Sequence, residues 1–337
     1  MPQQPPPDAI LSQMLFAPLI QKSINVAAKL GVADLLAQEP QSAEELAQKT
    51  ETHAPSLYRI LRALASVGVF AEDADRKFHL TPVGELLRSD TQGSMRDFAI
   101  MIGSEWIWQA WNEMNYSVKT GGVAHQKVQG MSSFEFFAKN EEAGRIFNRA
   151  MTSFTLMSAP AIVEACDFSG VSKLVDVAGG HGLLLAAVLR ANPHLQGILF
   201  DLPFVVEGAD GLLEKEGVAE RVEIISGNFF ESVPAGADAY LMKHIIHDWD
   251  DASSVKILDN IRRAITDEGK VLIVEMLVPE GDEPHPAKAL DLVMLTMENG
   301  KERTAEEYRQ LLAAAGLQLS RIISTRSPYS LVEAVKT

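Results

Sequence analysis

The sequence predicts an α/β chain in which a C-terminal doubly wound sheet follows a mainly helical domain of winged-helix outline. Three observations predict it. Residues 173–203, KLVDVAGGHGLLLAAVLRANPHLQGILFDLP, pass from a buried-strand pattern through a glycine cluster and an apolar helix to a second strand. Strand and helix patterns keep alternating beyond Val171, and the stretch before residue 95 shows helical periodicity with one hairpin.

In the first of these stretches Leu174, Val175 and Val177 form a short apolar run, and Gly179, Gly180 and Gly182 let the chain turn sharply into a helix. The free N–H groups of such a helix start can receive a polar or anionic ligand. Asn192-Pro193 breaks the helix, and Ile198, Leu199 and Phe200 lead to Asp201, a carboxylate placed to bind a ribose diol. The glycines run G-G-H-G and then Leu183, Leu184 and Leu185, so the last glycine of a dinucleotide fingerprint is missing. A nucleoside without a pyrophosphate fits better. The competing reading is that the glycines only pack helix on strand.

A chain of 337 residues, 47% hydrophobic, is expected to bury a large core and to contain two domains. Its net charge of −15 would repel a phosphate backbone, which argues against nucleic acid as a partner. Cys166 is the only cysteine, so no intrachain disulfide forms, as expected in the cytoplasm. The start, MPQQPPPDAI, lacks the pattern of a signal peptide and is expected to be disordered over a few residues. No apolar run approaches the roughly 20 residues that span a bilayer, so no membrane partner is expected.

Within the helical part, Ser42 and Glu45 have the spacing of a capping box. Leu57, Ile60, Leu61, Leu64 and Val67 define one apolar face, and Gly68 ends that helix. Strands at Val69-Phe70 and at residues 78–80, then a Thr81-Pro82 helix start, complete the winged-helix outline. Such a domain could bind DNA, yet Arg59 and Arg62 are the only basic residues of the candidate recognition helix, and five acidic residues lie just outside it. Dimerisation or substrate capping is the preferred reading. Leu11, Leu15, Leu19, Ile20, Ile24 and Val26 on the first helix give it more apolar surface than a small domain needs, which suggests a second subunit.

From residue 95 to 165 the pattern stays helical, and Trp106, Trp108 and Trp111 either line a pocket or pack linker helices. Strands are then expected at 222–225, 239–242 and 271–274, and helices at 254–265 and 305–315. After the strand YLM comes the polar run Lys243, His244, His247, Asp248, Asp250 and Asp251, at the strand end where a doubly wound fold keeps its ligands. A histidine there can take a proton near neutral pH, with Glu275 and Glu302 available to orient it. Each residue also has a plainer reading. Asp250 or Asp251 serves as a helix N-cap rather than a metal ligand, His244 is structural, Trp249 packs, and His247 is either the base or a satisfied core residue.

Together LVDVAGGHG, FDLP, KHIIHDWDD and GKERT, in that order behind a winged helix, resemble the S-adenosylmethionine-dependent small-molecule O-methyltransferases, typified by the plant caffeic acid and isoflavone enzymes and by acetylserotonin O-methyltransferase. The resemblance implies three parts: a winged-helix dimerisation domain over 1–95, a helical linker and pocket cap over 96–165, and a Rossmann-like methyltransferase domain over 166–337. It implies S-adenosylmethionine as cofactor, S-adenosylhomocysteine as product, and a homodimer formed through the N-terminal domain. The implied cofactor residues are Asp176, Gly179, Gly180, Gly182, Asp201, Leu202, Asn228, Phe229 and Lys243. His247 becomes the general base, bracketed by Glu275 and Glu302, with Met151, Phe154, Asp248 and Met294 toward a small aromatic hydroxylated substrate and no metal. Two departures stand out: Ala178 replaces the first glycine of the plant-like loop, and Asn228 stands where many members carry aspartate. The alternatives are N- or C-methylation, a ligand-sensing winged-helix regulator and, disfavoured by the glycine spacing, a nicotinamide-dependent oxidoreductase.

Overall fold

The computed structural model describes residues 5–337; the first four residues of the proline-rich start, expected to be disordered, lie outside the described residues. The chain divides into two compact units, one of residues 1–109 with 136–157, the other of 110–135 with 158–337.

The first unit opens with the helix Pro7–Lys29. β1 (Gln41–Ser42), β3 (Lys77–Leu80) and β2 (Phe70–Glu72) form a small antiparallel sheet in that order, which is the wing. The capping box is present at the helix Ala43–Thr50, where Ser42 accepts from the Glu45 N–H and Glu45 accepts from the Ser42 N–H. In the helix Ala54–Ser66, Leu57, Leu61 and Leu64 are buried against Leu46, Phe70 and Phe78. Val67 falls beyond that helix and is exposed, because the turn before Gly68 rotates it off the apolar face. On the first helix Leu11, Met14, Leu15, Phe16 and Leu19 are all exposed, whereas Ile20 and Ile24 pack on the unit's core.

The second unit is built on a seven-stranded sheet of order β6-β5-β4-β7-β8-β10-β9. β4 (Lys173–Val177), β5 (Gln196–Asp201), β6 (Val222–Ser226), β7 (Ala239–Lys243) and β8 (Lys270–Glu275) run parallel. β9 (Leu317–Ser324) and β10 (Ser330–Lys336) close the far edge as an antiparallel hairpin, a feature the alternating pattern does not anticipate. Alternate side chains serve opposite faces. Leu174, Leu199, Leu241 and Leu272 pack beneath the helix Leu183–Ala191, while Val175, Val177, Tyr240 and Ile273 pack on the helices Asp251–Ala264 and Ala305–Ala314. β5 and β6 extend the sheet to one side of β4, and β7 and β8 extend it to the other. The order therefore reverses at β4, and the strand ends around it form the crevice of a doubly wound fold. Among the described residues no helix is long and apolar enough to cross a membrane.

Candidate active site

The glycine turn sits at the end of β4, where Ala178, Gly180 and Gly182 all take positive φ, at 57°, 61° and 81°. A Cβ on Gly179 would come within 2.6 Å of the Asp176 carboxyl carbon and 2.7 Å of Leu199, so only glycine fits. Asp176 is buried, and its Oδ2 has no hydrogen-bond partner among the described residues. Burial, reinforced by the charge of Asp201, pushes its carboxyl up to about 7. From the end of β5, Asp201 accepts from the Gly180 N–H at 2.9 Å and from the Leu202 N–H at 2.7 Å. Burial raises this carboxyl as well.

Lys243 ends β7, with its ammonium 5.3 Å from the centre of the Tyr329 ring. Burial lowers it to about 8 against the pull of Glu275 and Asp176. Beyond β6, Asn228 turns its Oδ1 back onto the Phe230 N–H at 3.0 Å, and the Phe229 ring meets Phe230 and Trp249 edge-on. The residues expected to hold a cofactor thus line neighbouring strand ends. They fit one carrying an ammonium and a ribose, since a buried carboxyl lies beside Gly179, where no side chain fits.

One strand further, the loop after β7 carries the candidate base. Glu275, at the end of β8, accepts from the backbone N–H groups of Ile245, Ile246 and His247 at 3.1, 3.1 and 3.4 Å. Its Oε2 lies 3.5 Å from His247 Nδ1. That nitrogen also lies 2.5 Å from Glu302 Oε1, and Nε2 lies 3.4 Å from Asp248 Oδ1. His247, Glu275 and Glu302 are all buried. Burial presses the imidazole down, but Glu275, Asp248 and Glu302 outweigh it and lift it to about 10. The carboxyls respond in turn: burial pushes Glu275 up to about 7 and Asp248 to about 6. His247, Glu275 and Glu302 offer ligand atoms within 4.8 Å of one another, but the Nδ1–Oε1 separation is that of a direct hydrogen bond.

Two residues not singled out by sequence reasoning hold this loop. Arg303, fully buried, donates to the carbonyls of Ile246 and Trp249 at 2.9 and 2.8 Å and to Asp251 at 3.1 and 2.8 Å. Gly300 lies so close that a Cβ would stand 1.9 Å from the His247 carbonyl oxygen. Both belong to the GKERT stretch, from which the sequence reading takes a family resemblance and Glu302 but no role for the glycine or the arginine.

The plainer readings stand for three neighbours. Asp250 caps the helix Asp251–Ala264 by accepting from the Ser253 N–H. Trp249 packs, stacked on Phe134 and edge-on to Phe230. His244, half-buried at φ 56°, lies against His247 and Tyr329, and desolvation keeps its ring well below the usual range. Met294 is buried on the helix Pro286–Met297 of the same unit. Met151 and Phe154 belong to the first unit, where Phe154 packs on Phe98 at 4.8 Å.

Known proteins match both halves of the chain. Residues 111–318 fit the profile of an O-methyltransferase domain, and residues 12–90 that of an O-methyltransferase dimerisation domain. The chain is 46% identical to the phenazine O-methyltransferase of Lysobacter antibioticus over 98% of its own length and 96% of the relative's. It resembles the crystal structure of LaPhzM at a TM-score of 0.94, with 46% identity over 99% of this chain and 100% of that one. A neocarzinostatin-biosynthesis O-methyltransferase, solved with S-adenosylmethionine and 2-hydroxy-5-methyl naphthoic acid, matches at 0.81 and 33% identity over 94% and 96% of the two chains. The chain therefore belongs to the S-adenosylmethionine-dependent O-methyltransferases.

Proposed function

We propose that this enzyme methylates a hydroxyl of a small aromatic metabolite, with His247 as general base and no metal in the reaction. The contact between His247 Nδ1 and Glu302 carries the reading. A proton held on Nδ1 toward the carboxylate leaves Nε2 as the atom that faces an acceptor hydroxyl. An imidazole lifted to about 10 matches a phenol, whose ordinary pKa is about 10, so the proton passes between groups of similar affinity. Glu275 stiffens the backbone under the ring, and Glu302 stabilises the imidazolium that results.

S-adenosylmethionine, when bound, supplies a methyl group already activated on a sulfonium. Asp176, Gly179, Gly180, Gly182, Asp201, Leu202, Asn228, Phe229 and Lys243 would hold it. Met151, Phe154, Asp248 and Met294 would face the acceptor. The protein's remaining work is to align the reactants and exclude water, which leaves a Lewis acid nothing to do. The names of the relatives, which specify phenazine and naphthoic acid compounds, support an aromatic acceptor and a place in secondary metabolism.

We also propose a homodimer joined through the apolar face of the first helix, with no nucleic-acid or membrane partner. A cytoplasmic location accords with Cys166, a lone thiol that burial pushes up to about 12. The test of the base is His247→Ala. S-adenosylhomocysteine affinity is expected to stay within about twofold while turnover of a phenolic acceptor falls by roughly 10²–10⁴. Full activity in that variant would remove His247 from the role.

A further inference from the structure

The antiparallel hairpin that closes the sheet brings a side chain to the ligand end of the parallel strands. β10 starts with Ser330 opposite Glu275, the last residue of β8, and Lys243, the last residue of β7, lies beside Val274. Tyr329, just before β10, therefore stands at the carboxyl ends of β7 and β8, where a doubly wound fold keeps its ligands. Its carbonyl accepts from the Thr325 hydroxyl at 2.7 Å and from the Thr325 N–H at 3.3 Å, which pins the turn. The residue is only 4% exposed.

The Tyr329 ring meets two residues of the site. The Lys243 ammonium stands 5.3 Å from its centre, within reach of a cation–π contact, and the His244 ring packs on it at 4.9 Å with the planes 48° apart. The phenol oxygen is buried and has no hydrogen-bond partner among the described residues, so these contacts belong to the aromatic ring and not to the hydroxyl.

Lys243 is the one cation among the residues assigned to the cofactor, beside the carboxyls of Asp176 and Asp201. The cofactor ends in an amino acid, whose ammonium suits a carboxyl and whose carboxylate suits a lysine. A lysine is a point charge on a flexible four-carbon stem, so its use to a ligand depends on what fixes the ammonium. We propose that Tyr329 is a positioning residue: its ring holds the Lys243 ammonium in place for the carboxylate of the cofactor's methionine part. This rests on the assignment of Lys243 to the cofactor above and deepens it. A tyrosine that only filled the core would act on stability, with no preference for one end of a ligand.

The test compares two ligands of the full chain by calorimetric titration: S-adenosylhomocysteine, and 5′-methylthioadenosine, which keeps the nucleoside but lacks the amino-acid part. Tyr329→Leu is expected to weaken S-adenosylhomocysteine about 3- to 10-fold and to leave 5′-methylthioadenosine within about twofold. Tyr329→Phe keeps the ring and should hold both affinities within about twofold. Lys243→Met should weaken S-adenosylhomocysteine selectively, and adding Tyr329→Leu to it should change little more. Equal weakening of both ligands by Tyr329→Leu would make the residue merely structural, and a Phe variant as impaired as the Leu variant would move the role to the hydroxyl; either overturns the proposal. So would unchanged S-adenosylhomocysteine binding in Tyr329→Leu, or full additivity with Lys243→Met. Unchanged binding in Lys243→Met would instead remove Lys243 from the cofactor site, and the role of Tyr329 through it would fall with that assignment.

Discussion

His247 Nδ1 and Glu302 Oε1 meet at 2.5 Å across 55 residues of chain, and the carboxylate orients the ring and joins Glu275 and Asp248 in raising its basicity. Replacing Glu302 by Gln keeps an acceptor at Nδ1 but removes the charge, so the imidazole's affinity for a proton falls. In the wild type the ring is held protonated at neutral pH, and for a phenol of pKa about 10 the reacting pair has one proton fewer than the resting pair. Turnover should therefore rise toward alkaline pH, by up to about tenfold per unit between roughly pH 7 and 9. Glu302→Gln should reach its plateau at lower pH, and that plateau should be roughly 10- to 100-fold lower. A pH–rate profile of both proteins checks this, and an unchanged profile would deny Glu302 its influence on the ring.

Asp176 gives the second prediction. Its carboxyl, pushed up to about 7 mainly by burial, is largely protonated below that pH and charged above it. Because its folded value exceeds that of a free aspartate, the folded protein binds more protons than the unfolded chain between about pH 4 and 7, and this residue's contribution to stability falls as pH rises through that window. A ligand with an ammonium group restores what is lost. S-adenosylhomocysteine should bind more tightly as pH rises from 6 to 8, and Asp176→Asn should weaken binding and flatten the dependence. Calorimetric titration at several pH values is the measurement.

These two sites differ in how far the sequence disclosed them. The glycine turn was legible because its causes are local: Gly179, Gly180 and Gly182 are consecutive or nearly so, and Asp201 ends the next strand. The partnership of His247 with Glu302 has no local cause, since it depends on how β7 and the segment after the helix Pro286–Met297 meet in space; the sequence offers Glu302 only as one of two later carboxylates able to orient the ring, and the resemblance to a family adds that the two bracket it. Arg303 escaped notice because an arginine in a polar motif reads as surface, although here its donors satisfy carbonyls that the tight loop leaves without helix or sheet partners. β1 is two residues long, too short for any periodicity to register. β9, LQLSRIIS, is half-exposed at a sheet edge, and its mixed polarity concealed it.

The first helix offers a third prediction. Leu11, Leu15 and Leu19 stand one turn apart and are 57%, 70% and 65% exposed, with Met14 and Phe16 beside them. Such a stripe is larger than an isolated subunit tolerates and matches the proposed dimer interface. Leu11→Glu with Leu15→Glu should convert a dimer into monomers by light scattering. Persistence of the dimer would move the interface to another surface.

Ala178 supplies the last. It stands where the related loop has glycine, yet its φ of 57° is the left-handed conformation that glycine adopts freely. An alanine held there costs about 1–2 kcal/mol relative to its preferred regions. Ala178→Gly removes that strain but adds freedom to the unfolded chain, an opposing effect of about 0.4–1 kcal/mol. The balance favours the variant by about 0.5–1 kcal/mol, equivalent to a rise in Tm of about 1 °C for a chain of this size. Scanning calorimetry of both proteins without ligand would measure it. A fall in Tm would mean that the alanine methyl makes compensating contacts in the turn, and that the departure from glycine stabilises the loop rather than straining it.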